Sequence, residues 1–568
     1  MVINYIWNFL EKSEKKTFVI LICLSVIVLL LEIISISTIF PFIYSLIDNN
    51  FLEKYKYVNQ IYDLFGLKNS YFSIFILFVL FIIILIKNTF LAFFYWEESQ
   101  FMYQTQEKIS KRLFSNLINK DYAFHLKNNS ADLITRIRTD SIVIRESIYA
   151  LFNLIQSIIF ISGIMVFLII LEPLGFSITL VNFLILGSLF YKFTSKKTSE
   201  IGRIRQEQEI ARTKKLQESF SGIKEIKTFL LKNLFIKDYA NIANTVAKSY
   251  AIRGLINKLP KVFLETLVLV VIIILTLILF EGTSDKPKVF ALLSVFAIAA
   301  IKIIPHVYSL LNALNIFKFS SKPIHYYKQN LIEKEKNIPL AEVSNLKFKD
   351  KIVFKNVYFK YPEKNDNALE NLNFEINKGD KIFLKGSTGA GKSTLIDLIL
   401  GLQNVTSGEI IIDNENIKNL SNKWLSNVSY VPQSIYLFDD TVKNNITLGE
   451  DDNDFNESRF FECLRAAELS DFVNSLPNNE NSMIGEVGSK ISGGQKQRIG
   501  IARALYKKSE IMILDEATNA LDKTTESKVF KNLGKQVDKT FLIIHHEGAS
   551  KSFDAQILEI KDKKAKLV

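Results

Sequence analysis

Long apolar stretches before residue 325 are the most prominent pattern in this sequence. A helix needs about 20 residues to cross a hydrocarbon core about 30 Å thick, and six stretches are long enough. They lie near 17–46, 71–95, 147–170, 175–195, 261–281 and 289–315. The pattern therefore predicts an α-helical membrane domain with six transmembrane helices over residues 1–324.

Lysine and arginine are unevenly distributed among the connections between these stretches. The long connections 97–146 and 196–258 are rich in both residues, whereas 47–70 holds three lysines and 171–174 holds none. Because basic loops remain on the cytoplasmic side of a membrane, we expect both termini and both long connections to be cytoplasmic. The same bias accounts for the net charge of +12 without a nucleic-acid partner.

The hydrophobic pattern changes after a polar linker at 325–345. Residues 346–568 alternate short strand-like runs, such as "KIVFKNVYF" and "EIMILDE", with helical stretches. This alternation predicts an α/β domain with a largely parallel sheet. The two cysteines, Cys23 and Cys463, do not suggest a disulfide framework, which fits a reducing compartment.

A glycine-rich segment in the α/β part has the pattern of a phosphate-binding loop. The segment "GSTGAGKST" follows the strand-like "DKIFL" and precedes the apolar, helical "TLIDLILGL". Its glycines let backbone N–H groups close around phosphate oxygens at a helix N-terminus. We expect Lys392 to reach the β- and γ-phosphates of ATP and Ser393 to bind Mg²⁺. The expected nucleotide-binding residues here are Gly386, Ser387, Thr388, Gly389, Ala390, Gly391, Lys392, Ser393 and Thr394.

Two adjacent carboxylates end the strand-like run "IMILDEA". Asp515 is suited to holding Mg²⁺ through water, and Glu516 is the candidate base for the attacking water. Together with the phosphate-binding loop, they predict an ATP-hydrolysing enzyme whose cofactors are ATP and Mg²⁺.

The set and order of motifs over residues 346–560 resemble the ABC ATPase family. Beyond the loop and the carboxylates, the resemblance rests on "SYVPQ", "ISGGQKQR" and "LDEATNALD". It implies that Gln433 senses Mg²⁺ and the γ-phosphate, and that Tyr361 in "VYFKYP" stacks on adenine. A packed strand-end tyrosine remains the alternative for Tyr361. The signature and dimer-contact residues implied by the family are Ser492, Gly493, Gly494, Gln495 and Asp522.

The sequence departs from the family pattern at three places. Ile491 stands where leucine usually begins the signature, and Asn519 stands where serine is common. The histidine switch, usually His-Arg after an apolar strand, reads "FLIIHHEG". Spacing from the strand selects His546 as the catalytic switch residue, with His545 as the alternative.

One membrane domain and one ATPase domain make half of a transporter of the ABC exporter type, which this arrangement of the chain resembles. In that class the signature of one subunit closes over the phosphate loop of another. We therefore expect a two-fold homodimer, with a heterodimer as the alternative. The long cytoplasmic connections resemble exporter loops that dock on the ATPase domains, so ATP would drive alternating access.

Lysines occur within the apolar stretches, and a charge there is costly, by about 2.5–3.5 kcal/mol at a helix centre. Lys87 lies in the second stretch, Lys261 begins the fifth and Lys302 lies within the sixth. One interpretation is a cationic cavity for a multivalent anion. The alternative is internal pairing with Glu32 and Glu265.

The membrane half also resembles bacterial flippases that turn polyprenyl-pyrophosphate oligosaccharides outward. The resemblance lies in "EIISISTIFPFI", in an amphipathic outer segment at 51–66 and in the basic residues of spans two, five and six. That group favours arginine in the cavity, whereas this chain has lysine, which lacks a bidentate grip on phosphate. The outer segment either rests on the bilayer or contacts the lipid part of a cargo.

The leading functional hypothesis is an ATP-driven flippase or exporter of a lipid-linked oligosaccharide or similar anionic glycolipid in the bacterial inner membrane. An exporter of a lipid A-like lipid, a peptide or a drug is the first alternative. The second is an ATP-gated channel or regulatory protein without active transport, which the intact Glu516 disfavours.

Overall fold

The computed structural model describes residues 2–48, 51, 62, 71–282, 285–328, 347–362, 364–450, 454–485, 491–536, 538–545 and 555–568. Backbone alone is described at 2, 174–176, 178–191, 193–195, 267, 281–282 and 421–422. The chain divides into two compact units. The helical unit comprises Met1–Lys120 and Phe124–Lys336, and the nucleotide unit comprises Asp121–Ala123 and Asn337–Val568.

The helical unit contains long helices joined by short ones. Its helices are α1 (Val2–Phe9), α2 (Lys12–Ser37), α3 (Ile39–Ile47), α4 (Phe72–Ile118), α5 (Tyr122–Lys127), α6 (Ser130–Thr135), α7 (Ser141–Leu171), α8 (Pro173–Ser221), α9 (Ile223–Thr228), α10 (Lys232–Gly282), α11 (Lys286–Phe319) and α12 (Ser321–Tyr327), with Tyr122 and Ala123 of α5 assigned to the nucleotide unit. A π-helical turn, Arg136–Asp140, joins α6 to α7.

Among the described residues, five helical segments are long and apolar enough to cross a membrane. They are Lys12–Ile47, Phe72–Ile118, Ser130–Leu171, Lys232–Phe280 and Lys286–Phe319. Each corresponds to one of the predicted spans. The remaining predicted span, 175–195, lies within α8, where the structure describes almost only backbone.

Several helices continue well beyond the predicted spans, because a buried stripe continues after the apolar run ends. In α4, which runs to Ile118 rather than residue 95, Met102, Ile109, Leu113 and Leu117 are buried at helical spacing. Hydropathy identifies the long apolar run. Beyond that run, about one buried apolar residue in each turn is enough to pack the more polar end of the helix.

The C-terminal end of the helical unit overlaps the predicted linker. Helix α12 continues to Tyr327, and the Tyr327 ring lies 4.5 Å from that of Phe9. The predicted linker starts at 325, and its residues 329–345 lie outside those described. In the predicted outer segment 51–66, the structure describes Phe51 and Tyr62, which are both buried against Phe72.

The described residues of the nucleotide unit form two sheets. Strands β3, β8, β7 and β6 run parallel in a six-stranded sheet of order β10-β9-β3-β8-β7-β6, and a four-stranded antiparallel sheet has the order β2-β1-β4-β5. The strands are β1 (Lys351–Phe359), β2 (Leu369–Asn377), β3 (Lys381–Lys385), β4 (Ser407–Ile412), β5 (Glu415–Asn416), β6 (Val428–Val431), β7 (Ile511–Asp515), β8 (Thr540–Ile544), β9 (Gln556–Lys561) and β10 (Lys564–Leu567). All residues of β7 and β8 are buried, which explains their continuous apolar runs.

Helices flank the strands in the part of the nucleotide unit that the structure describes. They are α13 (Lys392–Ile399), α14 (Ile417–Leu425), α15 (Val442–Thr447), α16 (Glu457–Ala466), α17 (Ser470–Asn474), α18 (Gly493–Tyr506) and α19 (Lys523–Gly534). A 3₁₀ turn spans Asn479–Asn481. In a parallel sheet the loops after the strands meet at one edge, so the order of strands brings the predicted motifs together.

Gly202 allows α8 to approach the end of α11, and this contact predicts a stability difference. A Cβ at Gly202 would lie 2.4 Å from Phe319 O, whereas a Cβ at Gly254 in α10 would meet nothing within 4 Å. We expect Gly202→Ala to lower stability by about 1–3 kcal/mol, because backbone atoms cannot move aside as a side chain can. The matched Gly254→Ala change should be neutral or slightly stabilising. Thermal unfolding of both purified variants tests this, and equal melting temperatures would contradict the packing described.

Candidate functional site

The phosphate-binding loop lies between β3 and α13, as its sequence predicts. Gly391 has a φ of +106°, and a Cβ there would lie 2.7 Å from Leu369 Cδ2, so glycine is required at this close approach. The Lys392 Nζ donates hydrogen bonds to the carbonyl oxygens of Gly386, at 2.8 Å, and Ser387, at 3.1 Å. The ammonium group therefore lies beside the backbone of the loop. This arrangement fits the phosphates of a nucleoside triphosphate.

Asp515 ends β7 at the same edge of the sheet. Its Oδ2 accepts a hydrogen bond from the Tyr430 hydroxyl at 3.2 Å. Burial raises the pKa of Asp515, and the hydrogen bond from Tyr430 opposes that shift. Burial also raises the pKa of Asp397 on α13 to about 6, and the Asp515 charge adds to the effect. Carboxylate oxygens at this edge are suitable donors for Mg²⁺.

The structure brings the candidate base together with the predicted glutamine. Gln433 Nε2 donates to Glu516 Oε2 at 2.7 Å. The same oxygen accepts from Asn519 Nδ2 at 3.0 Å. Glu516 itself has a φ of +49°, a left-handed conformation that is unfavourable for a residue with a side chain. Both amides therefore hold a carboxylate on a constrained piece of backbone.

The signature caps helix α18. The Ser492 hydroxyl accepts a hydrogen bond from Gln495 N at 3.2 Å, while Gln495 Oε1 accepts one from Ser492 N at 2.7 Å. This reciprocal capping box fixes the first turn of the helix. Gly493 and Gly494 lie in that turn, and a Cβ at Gly494 would lie 2.9 Å from Ala520 O. The signature and the turn after β7 are therefore in contact within one chain.

Asp522 caps the next helix, α19. Its Oδ2 accepts a hydrogen bond from Thr525 N at 2.9 Å and another from the Thr524 hydroxyl. These hydrogen bonds, with that of Thr524 the strongest, hold the pKa of Asp522 well below its ordinary value. The carboxylate therefore caps α19 at the predicted dimer-contact loop.

Tyr361 and the two histidines occupy different environments. The Tyr361 hydroxyl lies 3.0 Å from Thr394 Oγ1, and its ring contacts Phe359 edge-on. His545 Nε2 lies 2.7 Å from Glu526 Oε1, so this histidine is directed at α19. The predicted switch residue His546 lies outside the described residues.

In the helical unit, Glu32 lies between two of the predicted lysines. Its Oε2 lies 3.1 Å from Lys87 Nζ, and its Oε1 lies 2.8 Å from Lys302 Nζ. The side chains of Lys87 and Glu32 are 8% and 9% exposed, whereas that of Lys302 is 40% exposed. Lys261 instead pairs with Glu265 on its own helix at 3.8 Å, with both side chains exposed. These contacts are those of the alternative in which the lysines pair with Glu32 and Glu265. Two ammonium groups nevertheless share the one carboxylate of Glu32.

Sequence reasoning missed three residues that lie at or near these sites. Asn519 appeared only as a departure from a family pattern, and Tyr430 only as part of the quoted "SYVPQ". His306 lies one turn after Lys302, with its ring stacked on Phe160 at 4.3 Å. The spacing of four residues from Lys302 was the available signal for His306, since such residues share a helix face.

Comparisons with known proteins agree with this geometry. A family described as the ABC transporter transmembrane region matches residues 18–299, and one described as ABC transporter matches residues 369–519. The chain is 30% identical over 448 residues to an export ATP-binding/permease protein of Rickettsia bellii, a match covering 77% of this chain and 76% of that protein. It is 29% identical over 457 residues to the ATP-dependent lipid A-core flippase of Pectobacterium atrosepticum, covering 80% of this chain and 78% of that protein.

A solved bacterial Atm1-family ABC exporter with ATP bound has the same fold, with a TM-score of 0.78 at 20% identity over 98% of this chain and 94% of that one. The predicted fold class, a helical membrane domain joined to an α/β ATPase domain, is confirmed. The predicted ATP hydrolase activity coupled to transport is confirmed by the family as well. This multi-pass membrane protein belongs to the ABC transporter family and is a half-transporter of the exporter type.

Proposed function

We propose that this exporter is an ATP-driven flippase for an anionic amphiphile, a lipid-linked oligosaccharide or a similar phosphoglycolipid. The observation that carries the proposal is the cluster of Glu32, Lys87 and Lys302 on three membrane-length helices. With the carboxylate ionised and both amines protonated, the cluster has a net charge of +1. An anionic group is the natural partner for the remaining charge.

Lys302 is the member of the cluster that a cargo reaches most easily. Its side chain is 40% exposed, whereas Lys87 is almost completely buried beside Glu32. A cargo phosphate would therefore compete with the Glu32 carboxylate for Lys302 while Lys87 keeps its partner. An ammonium group binds phosphate as a point charge, so lysine suffices where arginine would add a bidentate contact.

The nucleotide unit supplies the energy for this movement. We assign ATP binding to the loop that includes Gly391 and Lys392, and Mg²⁺ binding to Ser393, Gln433 and Asp515. Bound Mg²⁺ would neutralise phosphate charge, while Glu516 accepts the proton of the attacking water. The signature around Ser492 would contact the ATP of a second copy, so we propose a homodimer with two equal sites.

An exporter of a lipid A-like glycolipid is the second candidate. The lipid A-core flippase of Pectobacterium atrosepticum, similar over 80% of this chain, favours it. Both candidates share an anionic head on an apolar tail, so the same basic cluster serves either. The bacterial inner membrane, with the nucleotide unit on the cytoplasmic side, is the proposed location for both.

The assigned catalytic roles predict distinct kinetic defects. We expect Glu516→Gln to lower ATP turnover about 100-fold or more without weakening ATP binding, because the base is lost while the phosphate loop is intact. Lys392→Ala should instead weaken ATP binding. Steady-state ATPase rates and nucleotide-binding titrations of the full-length protein separate the two. A Glu516→Gln protein with the wild-type turnover would contradict the assignment.

The cargo site predicts a response that depends on Lys302. In lipid nanodiscs, a polyprenyl-pyrophosphate oligosaccharide should change wild-type ATP turnover, and Lys302→Gln should raise its half-effective concentration roughly 10-fold, since a hydrogen-bonded ion contact is lost. Lys318→Gln, an exposed lysine on the same helix, is the matched control.

A lipid A-like glycolipid and a neutral polyprenol complete the assay. A response to the lipid A-like compound alone would select the second candidate. Equal responses to the neutral and anionic lipids would contradict an anionic cargo.

A further inference from the structure

The turn that follows β7 carries Glu516 and folds Asn519 back against it. Asn519 N donates to Glu516 O at 3.3 Å, which closes the turn. The Asn519 side chain then reaches Glu516 Oε2, with Nδ2 at 3.0 Å. Because Gln433 Nε2 donates to the same oxygen, one oxygen of the candidate base accepts two amide hydrogen bonds.

The two amide donors are held by different parts of the chain. Gln433 follows β6, and its proposed role includes contact with Mg²⁺. Asn519 belongs to the turn that contains Glu516, so it moves with the base. If Gln433 turned to a bound metal, the Asn519 amide would still lie within hydrogen-bond distance of the carboxylate.

The signature helix fixes both ends of this turn through Gln497. Gln497 Nε2 donates to Glu516 O at 3.4 Å, and Gln497 Oε1 accepts from Ala520 N at 2.8 Å. Gln497 is buried, so solvent does not compete strongly for its amide. The turn is therefore a braced segment, in which the Asn519 side chain has a defined direction.

We propose that Asn519 is a positioning residue for ATP hydrolysis, whose amide orients the Glu516 carboxylate toward the attacking water. A general base acts only within hydrogen-bond reach of the proton it removes, so its orientation limits the rate. A hydrogen bond to an ionised acceptor is stronger than one between neutral groups, which makes the amide an effective restraint. The proposal rests on the proposed role of Glu516 as the base.

Substitutions at Asn519 test this role in the full-length protein. We expect Asn519→Ala to lower kcat for ATP about tenfold with KM for ATP unchanged, since the nucleotide contacts remain. Asn519→Asp has nearly the same shape, but it loses the donor and repels Glu516, so kcat should fall further. A merely structural role would not give this order with an unchanged KM.

Two further measurements separate positioning from general destabilisation. Asn532 on α19 also donates its amide to a glutamate, Glu468, at 3.1 Å, and Asn532→Asp should leave kcat unchanged. In single-turnover assays, Glu516→Gln with Asn519→Ala should react at the same residual rate as Glu516→Gln alone, because no carboxylate remains to be oriented.

The proposal fails if Asn519→Ala keeps the wild-type kcat, if KM rises in proportion to the loss, or if the double variant loses a further tenfold. These results can be distinguished from those expected if Glu516 is not the base. A wild-type rate in Glu516→Gln alone would refute the base and the positioning role together. A normal Asn519→Ala rate beside an inactive Glu516→Gln would refute only the positioning role.

Discussion

The pairing of Glu32 with Lys87 and Lys302 is the constraint on which the helical unit depends. The carboxylate joins α2, α4 and α11 at one point, through contacts of 3.1 Å and 2.8 Å. Removing one partner from a buried ion pair leaves an uncompensated charge, which costs about 3–5 kcal/mol. That cost applies to the buried pair of Lys87 and Glu32, whereas Lys302 is 40% exposed and leaves Glu32 more easily when another anion takes the place of the carboxylate.

Replacement of Glu32 by a cargo anion would connect cargo binding to the movement of helices. Alternating access needs helices that can rearrange between two states, and a ligand shifts the balance only by its differential affinity for them. An anion that takes Lys302 from Glu32 would favour the state in which α2 and α11 have moved apart. The cluster would thus favour rearrangement of the helices with cargo bound over rearrangement without cargo. This preference would come from the charge of the cargo and not from its shape.

In the nucleotide unit, the turn after β7 is where contacts from several of the motifs meet. Glu516 is held by amides from the segment after β6 and from its own turn. Gln497 of the signature helix binds the backbone of the same turn. If the signature contacts the ATP of a second copy, as proposed above, these hydrogen bonds would connect that contact to the position of the base.

Much of this architecture could be predicted from the sequence. The phosphate loop and Asp515 are recognisable because consecutive residues and a buried strand define them, and the apolar runs define the membrane helices. The length of α4 could not be predicted from hydropathy, since it depends on a narrow stripe that includes Ile109 and Leu113.

Side-chain contacts between segments that are far apart in the chain also could not be predicted from the sequence. Glu32 was named as a partner for internal pairing, but its sharing by two lysines depends on the rotation of three helices. Likewise, the contact of His545 with Glu526 requires the packing of β8 against α19. Asn519 appeared as a departure from a pattern, and its role needed the geometry of the turn.

The most direct test is ATP-dependent flipping in proteoliposomes that contain a labelled polyprenyl-pyrophosphate oligosaccharide or its uncharged polyprenol counterpart. An anion-selective exporter should move the pyrophosphate-linked glycan when ATP is supplied and leave the uncharged lipid in its original leaflet. Equal movement of both lipids, or movement of neither while ATP is hydrolysed, would contradict the account.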